Sequence, residues 1–361
     1  MTAEEDDRWM TLALALGRRG LGRVWPNPAV GCVIVREGRV LGRGWTADGG
    51  RPHGETQALA QAGDARGATA YVTLEPCAHH GRTPPCAEAL VAAGVARVVV
   101  ATGDPDPRVA GRGIAILEAA GIAVTVGVRG EEARRDHAGF LLRVTSGRPF
   151  VTLKLASTLD GRIATATGES QWITGPAARA MVHALRAKSD AVMVGGGTAR
   201  ADDPLLTVRG MGERPDPVRV VLSRDLDLPL DGQLARTARA VPLWLLHRHG
   251  ADAGPWDAAG AICLPCPDTR DGLDLRAALG VLAGQGITRV FCEGGGQVAA
   301  GLLQANLVDE LVLFQAGMAL GSQGRAMLGR LGSERLADAP RLRLTDLRPI
   351  GDDVMSRWVR E

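Results

Sequence analysis

From residue 27 onward, short apolar runs alternate with stretches in which apolar residues recur every three or four positions. AVGCVIV (29–35) and VLGRGW (40–45) predict two strands around a turn at Glu37-Gly38, and a helix starts at about Glu55. The strand TAYVTL, a helix from Pro85 to Ala93, the strand ARVVVA, a helix from Gly113 to Ala120, the strand IAVTVGV and a closing helix over 131–145 follow. SGRP (146–149) has turn chemistry, which sets a domain boundary near Gly147 and expected domains of 1–147 and 148–361.

The second half restarts with the strand FVTLKLA, then helix 176–188, strands AVMVGG, VRVVL and PLWLL, helix 274–284, strand RVFCE and helix 297–305. Strands interleaved with helices mark an α/β fold in both halves. The final stretches, ELVLFQA and RLRLTDLRPIGDDVMSRWV, carry strand patterning with almost no helix signal and predict an antiparallel edge on the second sheet.

Composition narrows the function. With 361 residues, 45% of them hydrophobic and 23% charged, the chain is an ordinary globular protein of about two domains. A net charge of +2 and aromatics at 3% argue against nucleic acid, which needs a basic surface and stacking platforms. The acidic start MTAEEDDRWM and the lack of any run of about 18 apolar residues point to a cytoplasmic protein with no membrane partner. Six cysteines are too few for a disulfide framework in a reducing compartment, so the question is which of them bind metal.

The segment RPHGE (51–55) opens one helix, and EPCAHHGRTPPC (75–86) leads from a strand into another. Helix starts favour thiolate over thiol, which suits Cys77 and Cys86 to a cation. With His53 they make three ligands and leave the fourth position for water, the arrangement of a catalytic zinc. Glu55, two residues beyond His53, is placed to relay protons beside that water, as in the zinc deaminases. His79 and His80 compete as ligands, with substrate contact or solvent exposure as their other readings. Cys32 lies in an apolar strand and reads as core, and the CLPC pair Cys263 and Cys266 has no second pair or histidine beside it. Asn27, held between two prolines, could offer its amide to a base or ribose, or simply cap a loop. Lys154, one of only two lysines, sits in an apolar strand where it needs an anionic partner, and a catalytic or substrate-orienting role is one reading of it.

PNPAVGC (26–32), HGE (53–55) and above all the long spacing between the cysteines resemble the bifunctional deaminase/reductase family of riboflavin biosynthesis. The likeness continues through KLASTLDGR (154–162), GESQWIT (168–174), VGGGTARADDPLLTVR (194–209) and EGGGQVAAG (293–301). The resemblance implies a cytidine-deaminase-like three-layer domain followed by a dihydrofolate-reductase-like domain. It further implies one Zn2+ per chain on His53, Cys77 and Cys86, catalysis by Glu55, and substrate contact by Asn27. NADPH would lie against Ala156, Trp172, Thr198, Asp202, Ser223, Gly295, Gly296, Gln297, Val298, Ala299, Ala300 and Gly301. Ser170, Arg186, Leu206, Arg209 and Glu293 would hold a pyrimidine ribotide, with the two arginines gripping its phosphate. The first domain would deaminate the diaminopyrimidine ribotide and the second reduce its ribosyl group to ribityl. A homo-oligomer is expected. Gly54 stands where the family more usually has Ala. A nucleic-acid deaminase would share the zinc motif but not the charge balance, and a purely structural zinc module would not need Glu55.

Overall fold

The computed structural model describes residues 2–80 and 84–360, so Gly81, Arg82 and Thr83 of the inter-cysteine loop lie outside the described residues. The chain divides into two compact units, the first ending at Gly147 and the second beginning at Arg148.

The first unit runs α1 (Ala3–Gly17), β1 (Gly31–Arg36), β2 (Arg39–Trp45), α2 (Gly54–Ala62), β3 (Thr69–Val72), α3 (Cys86–Ala92), β4 (Arg97–Val100), α4 (Arg112–Ala119), β5 (Ala123–Val126) and α5 (Gly130–Ser146). Its five strands lie in the order β2-β1-β3-β4-β5, the first two pairings antiparallel and the last two parallel. Alternation along the strands builds three layers. Cys32, Ile34, Ala70, Val72, Val98 and Val100 face Ala58, Ala87, Leu90 and Leu117 from α2, α3 and α4. Val33, Val35, Tyr71 and Val99 turn the other way, onto Trp9, Met10, Ala13 and Leu14 of α1 and Ala133 of α5. Cys32 is thus core, as its strand predicts.

α1 has no counterpart among the elements expected from sequence. Its signal was a capping box: the Thr2 hydroxyl accepts from the Glu5 N–H and the Glu5 carboxylate accepts from the Thr2 N–H. Behind it, Asp6 takes a two-pronged ion pair from Arg97 and a hydrogen bond from the Tyr71 hydroxyl, fixing the helix to the sheet.

The placement of α2 matters most for chemistry. It lies so close to β2 that a Cβ on Gly42 would stand 2.0 Å from the Ala58 carbonyl oxygen and one on Gly44 2.3 Å from that of Gly54. Glycine at those positions brings the first turn of α2, and with it His53 and Glu55, down onto the sheet. Gly54 is itself tight, since an added Cβ would meet the Val30 carbonyl oxygen at 2.9 Å.

The second unit contains β6 (Phe150–Thr158), β7 (Arg162–Ala164), α6 (Pro176–Arg186), β8 (Ala191–Gly195), α7 (Gly196–Asp202), β9 (Val218–Leu222), α8 (Gln233–Arg236), β10 (Leu243–Arg248), α9 (Gly254–Ala259) and β11 (Ile262–Cys266). After the short β12 (Asp268–Thr269) and β13 (Gly272–Leu273) come α10 (Leu275–Gly284), β14 (Arg289–Cys292), α11 (Gly296–Gln304), β15 (Glu310–Ala316), β16 (Arg325–Ala326), β17 (Leu342–Ile350) and β18 (Asp353–Arg360). Nine strands form one sheet in the order β11-β10-β9-β8-β14-β6-β15-β18-β17. It is parallel from β11 to β15, and the expected antiparallel edge is supplied by β18 and β17. CLPC, which the sequence left unplaced, is most of β11; Cys266 is buried and Cys263 half-buried.

Strand order sends the chain outward from β8 through β9 and β10 to β11 on one side and from β6 through β15 on the other. The reversal falls at β8, β14 and β6, and in open α/β sheets ligands bind at the carboxyl ends of strands around such a point.

Candidate active sites

In the first unit, His53 is the residue preceding α2, Cys86 opens α3, and Cys77 sits in the loop after β3. His53 Nδ1 lies 3.3 Å from Cys86 Sγ and 3.6 Å from Cys77 Sγ, and the three ligand atoms are all within 4.8 Å of one another. Zinc with bonds of about 2.3 Å to sulfur and 2.0–2.1 Å to nitrogen, in tetrahedral angles, holds neighbouring ligand atoms about 3.5–3.8 Å apart. The donor set and its spacing therefore fit zinc, and no other group of three His, Cys, Asp or Glu among the described residues does so.

Hydrogen bonding from the Cys86 thiol, from His53 and from the Cys86 backbone N–H pulls Cys77 down to about 4, against its burial, so the cluster holds a thiolate at neutral pH. Cys86 is pushed upward, chiefly as the hydrogen-bonding partner of Cys77. Glu55 is 3% exposed and pushed up to about 7, first by burial and then by the neighbouring Cys77 thiolate, with His53 opposing. A carboxyl group in that state can take a proton and give it back. The Asn27 side-chain nitrogen is packed against Gly50, where an added Cβ would stand 1.9 Å from it. His80 is exposed and pairs with Glu88 at 3.4 Å, away from the sulfurs.

The second unit carries a groove of about 2290 Å³ at the topological switch, lined from the ends of β6, β8, β9 and β14. Ala156, Ser170, Trp172, Arg186, Thr198, Asp202, Leu206, Arg209, Ser223 and Glu293 all line it. So do Gly295, Gly296, Gln297, Val298, Ala300 and Gly301. Ala299, fully buried on α11, is not among the lining residues.

The two glycine-rich loops are neighbours because β8 and β14 pair in parallel. The Gly295 N–H donates to the Thr198 hydroxyl at 3.1 Å, and a Cβ on Gly195 or Gly294 would press on Val298 at 2.8 or 2.9 Å. Those glycines therefore let α11 seat between the strand ends. The starts of α7 and α11, neither with a side-chain cap, lie side by side at the groove, where their N–H groups suit a phosphate. Trp172 is 64% exposed at the rim, with the Arg179 guanidinium 4.7 Å over its ring.

Arg186, expected at the substrate phosphate, is engaged within the protein. Its Nη2 donates to Glu293 Oε2 at 3.1 Å, its Nε to the other oxygen of that carboxylate, and its Nη1 to the Thr207 carbonyl at 2.9 Å. Lys154 Nζ stands 3.9 Å from the same carboxylate, which answers the need of a buried lysine for an anion. Burial pulls the Lys154 amine down and Glu293 opposes it. Sequence reasoning named all three residues but not their mutual engagement. The Arg209 side chain is exposed and has no hydrogen-bond partner among the described residues.

Comparison with known proteins follows this division. Residues 3–102 match the cytidine and deoxycytidylate deaminase zinc-binding region, and residues 149–356 match the RibD C-terminal domain. The chain belongs to the RibD family. The riboflavin biosynthesis protein RibD of Escherichia coli is 44% identical across 97% of this chain and 98% of its own length. The structure of Acinetobacter baumannii RibD superposes with a TM-score of 0.90 at 42% identity, covering all of both chains. A diaminohydroxyphosphoribosylaminopyrimidine deaminase/5-amino-6-(5-phosphoribosylamino)uracil reductase from Thermotoga maritima gives 0.89 at 32% identity, covering 99% of each. This RibD-family chain is accordingly a bifunctional enzyme of riboflavin biosynthesis, with a Zn2+-dependent deaminase domain of cytidine-deaminase fold and an NADPH-dependent reductase domain of dihydrofolate-reductase-like fold. Among the described residues, no helix is long and apolar enough to cross a membrane.

Proposed function

We propose that the first domain hydrolytically deaminates 2,5-diamino-6-ribosylamino-4(3H)-pyrimidinone 5′-phosphate and that the second reduces the resulting ribosylaminouracil phosphate to its ribityl form. The observation that carries the reading is the His53–Cys77–Cys86 triad at zinc spacing with the buried Glu55 beside it. Zinc in the triad supplies a Lewis acid that makes water nucleophilic at neutral pH. Glu55 takes the proton released and returns it to the departing amine, and Asn27 orients the ribotide. In the groove, Ala156, Thr198, Ser223, Gly295 and the first turns of α7 and α11 would hold NADPH, which would supply the reducing equivalents. Ser170, Leu206 and Glu293 hold the sugar and Arg209 its phosphate.

The six unpaired cysteines support a cytoplasmic location. We infer self-association as well: β17 is a nine-residue edge strand exposing Leu344 and Leu347, and such edges are commonly covered by a partner.

Glu55→Gln tests the reading, because the amide has nearly the same shape and cannot relay a proton. The variant should keep its zinc and its NADPH oxidation on pre-deaminated substrate while ammonia release falls by about 10²–10⁴-fold. Retained ammonia release, or loss of both activities with zinc and fold intact, would overturn it.

A further inference from the structure

Glu75 is 4% exposed, stands two residues before Cys77, and pairs with no cation among the described residues. Instead its carboxylate collects backbone N–H groups from another part of the chain. Oε2 accepts from Asp104 at 3.3 Å and Gly111 at 3.1 Å, and Oε1 accepts from Gly113 at 3.0 Å and Ile114 at 3.4 Å. One side chain thus fastens both ends of the 104–111 segment and caps α4, whose own capping position, Gly111, offers no side chain. The attachment is close: a Cβ on Gly113 would lie 2.0 Å from the carbonyl oxygen of Pro76, the residue before Cys77.

Between the fastened ends the segment is rigid in its own right. Asp104 Oδ1 accepts from the Asp106 N–H at 2.8 Å, and Asp106 accepts from the backbone and side chain of Arg108 at 2.5–3.1 Å. Asp104 and Asp106 are both buried, and Asp106 is electrostatically coupled to His79, on the loop that carries Cys77. The segment is therefore preformed beside the metal-binding loop, and the Glu75 carboxylate ties it to that loop.

We propose that Glu75 is a positioning residue of the deaminase site, holding the 104–111 segment against the cysteine loop and so setting the spacing of that side of the site. This rests on the deaminase reading of the first domain. Replacing one carboxylate oxygen by an amide NH2 sets a donor against two N–H donors, which loosens either both ends of the segment or the start of α4. The triad ligands and Glu55 are untouched.

The test compares Glu75→Gln with the parent chain for zinc content, ammonia release from the diaminopyrimidine ribotide and NADPH oxidation on pre-deaminated substrate. Zinc and reductase rates should be unchanged, and the deaminase KM should rise by about tenfold or more with kcat altered much less. A deaminase KM equal to that of the parent overturns the proposal, as does a fall in kcat alone. If the parent releases no ammonia, the deaminase reading fails and the proposal with it. Should the variant lose its zinc, amide hydrogen exchange in the parent chain decides. Slow exchange at Asp104, Gly111 and Gly113, hastened together in Glu75→Asp, sustains the fastening, and exchange at the unprotected rate refutes it.

Discussion

Arg186 and Arg209 line the same groove, and truncating each should give opposite signatures. Arg186 commits its whole fork within the protein, to both oxygens of Glu293 and to the Thr207 carbonyl, and the paired side chains are only 13% and 11% exposed. Arg186→Ala leaves the Glu293 carboxylate buried with only Lys154 Nζ at 3.9 Å. Removing one member of a buried pair costs about 3–5 kcal/mol, which for a domain of this size lowers its melting temperature by about 6–20 °C. Arg209 is exposed and unengaged among the described residues, so Arg209→Ala should leave the melting temperature almost unchanged. If it binds the substrate phosphate, losing one charged hydrogen bond costs about 1.5–3 kcal/mol, a rise in KM of about ten- to a hundred-fold. The assay is NADPH oxidation on the ribosylaminouracil with and without its 5′-phosphate, paired with thermal unfolding. Arg209→Ala should penalise only the phosphorylated form and leave the KM for NADPH alone. The reasoning is refuted if Arg186→Ala melts like the parent while selectively losing the phosphorylated substrate. Arg186 would then exchange Glu293 for the phosphate when substrate binds.

Two further outcomes follow from the deaminase domain. Metal analysis should find one zinc per chain in the parent and in Cys263→Ser, but a deficit in Cys77→Ser; full retention in the last would dismiss the triad. Gly42→Ala drives a methyl group onto the Ala58 backbone and should destabilise the first domain by about 1–3 kcal/mol or more, with loss of deaminase before reductase activity on heating, followed by differential unfolding and the two activity assays.

What the sequence revealed and what it hid divide along chain separation. His53, Cys77 and Cys86 were legible because each sits at or beside a helix start, where the local chemistry of a thiolate or imidazole already points to a cation. The parallel strands were legible because strands buried on both faces read as unbroken apolar runs such as VRVVL and AVMVGG. The pairing of Arg186 was hidden because its partner Glu293 is 107 positions away and meets it only once β14 has paired beside β8. Ala299 belongs to a continuous sequence motif, yet a helix turns each successive residue by about 100°, so it is buried while its neighbours line the groove.

Glu75 shows the same limit from the other side. Within EPC it looks like a companion of the metal ligand, yet its four hydrogen-bond partners lie 29 to 39 residues further along. A buried carboxylate needs donors, and in this chain they are backbone groups, which carry no side-chain signature a sequence could display. Motifs built from side chains that touch the reacting groups are therefore readable one residue at a time. The residues that set distances between loops become visible only when the backbone they bind is in place. On the proposed function the EPC glutamate serves geometry and the HGE glutamate proton transfer, two carboxylates whose roles differ because one is surrounded by N–H donors and the other is buried beside a thiolate.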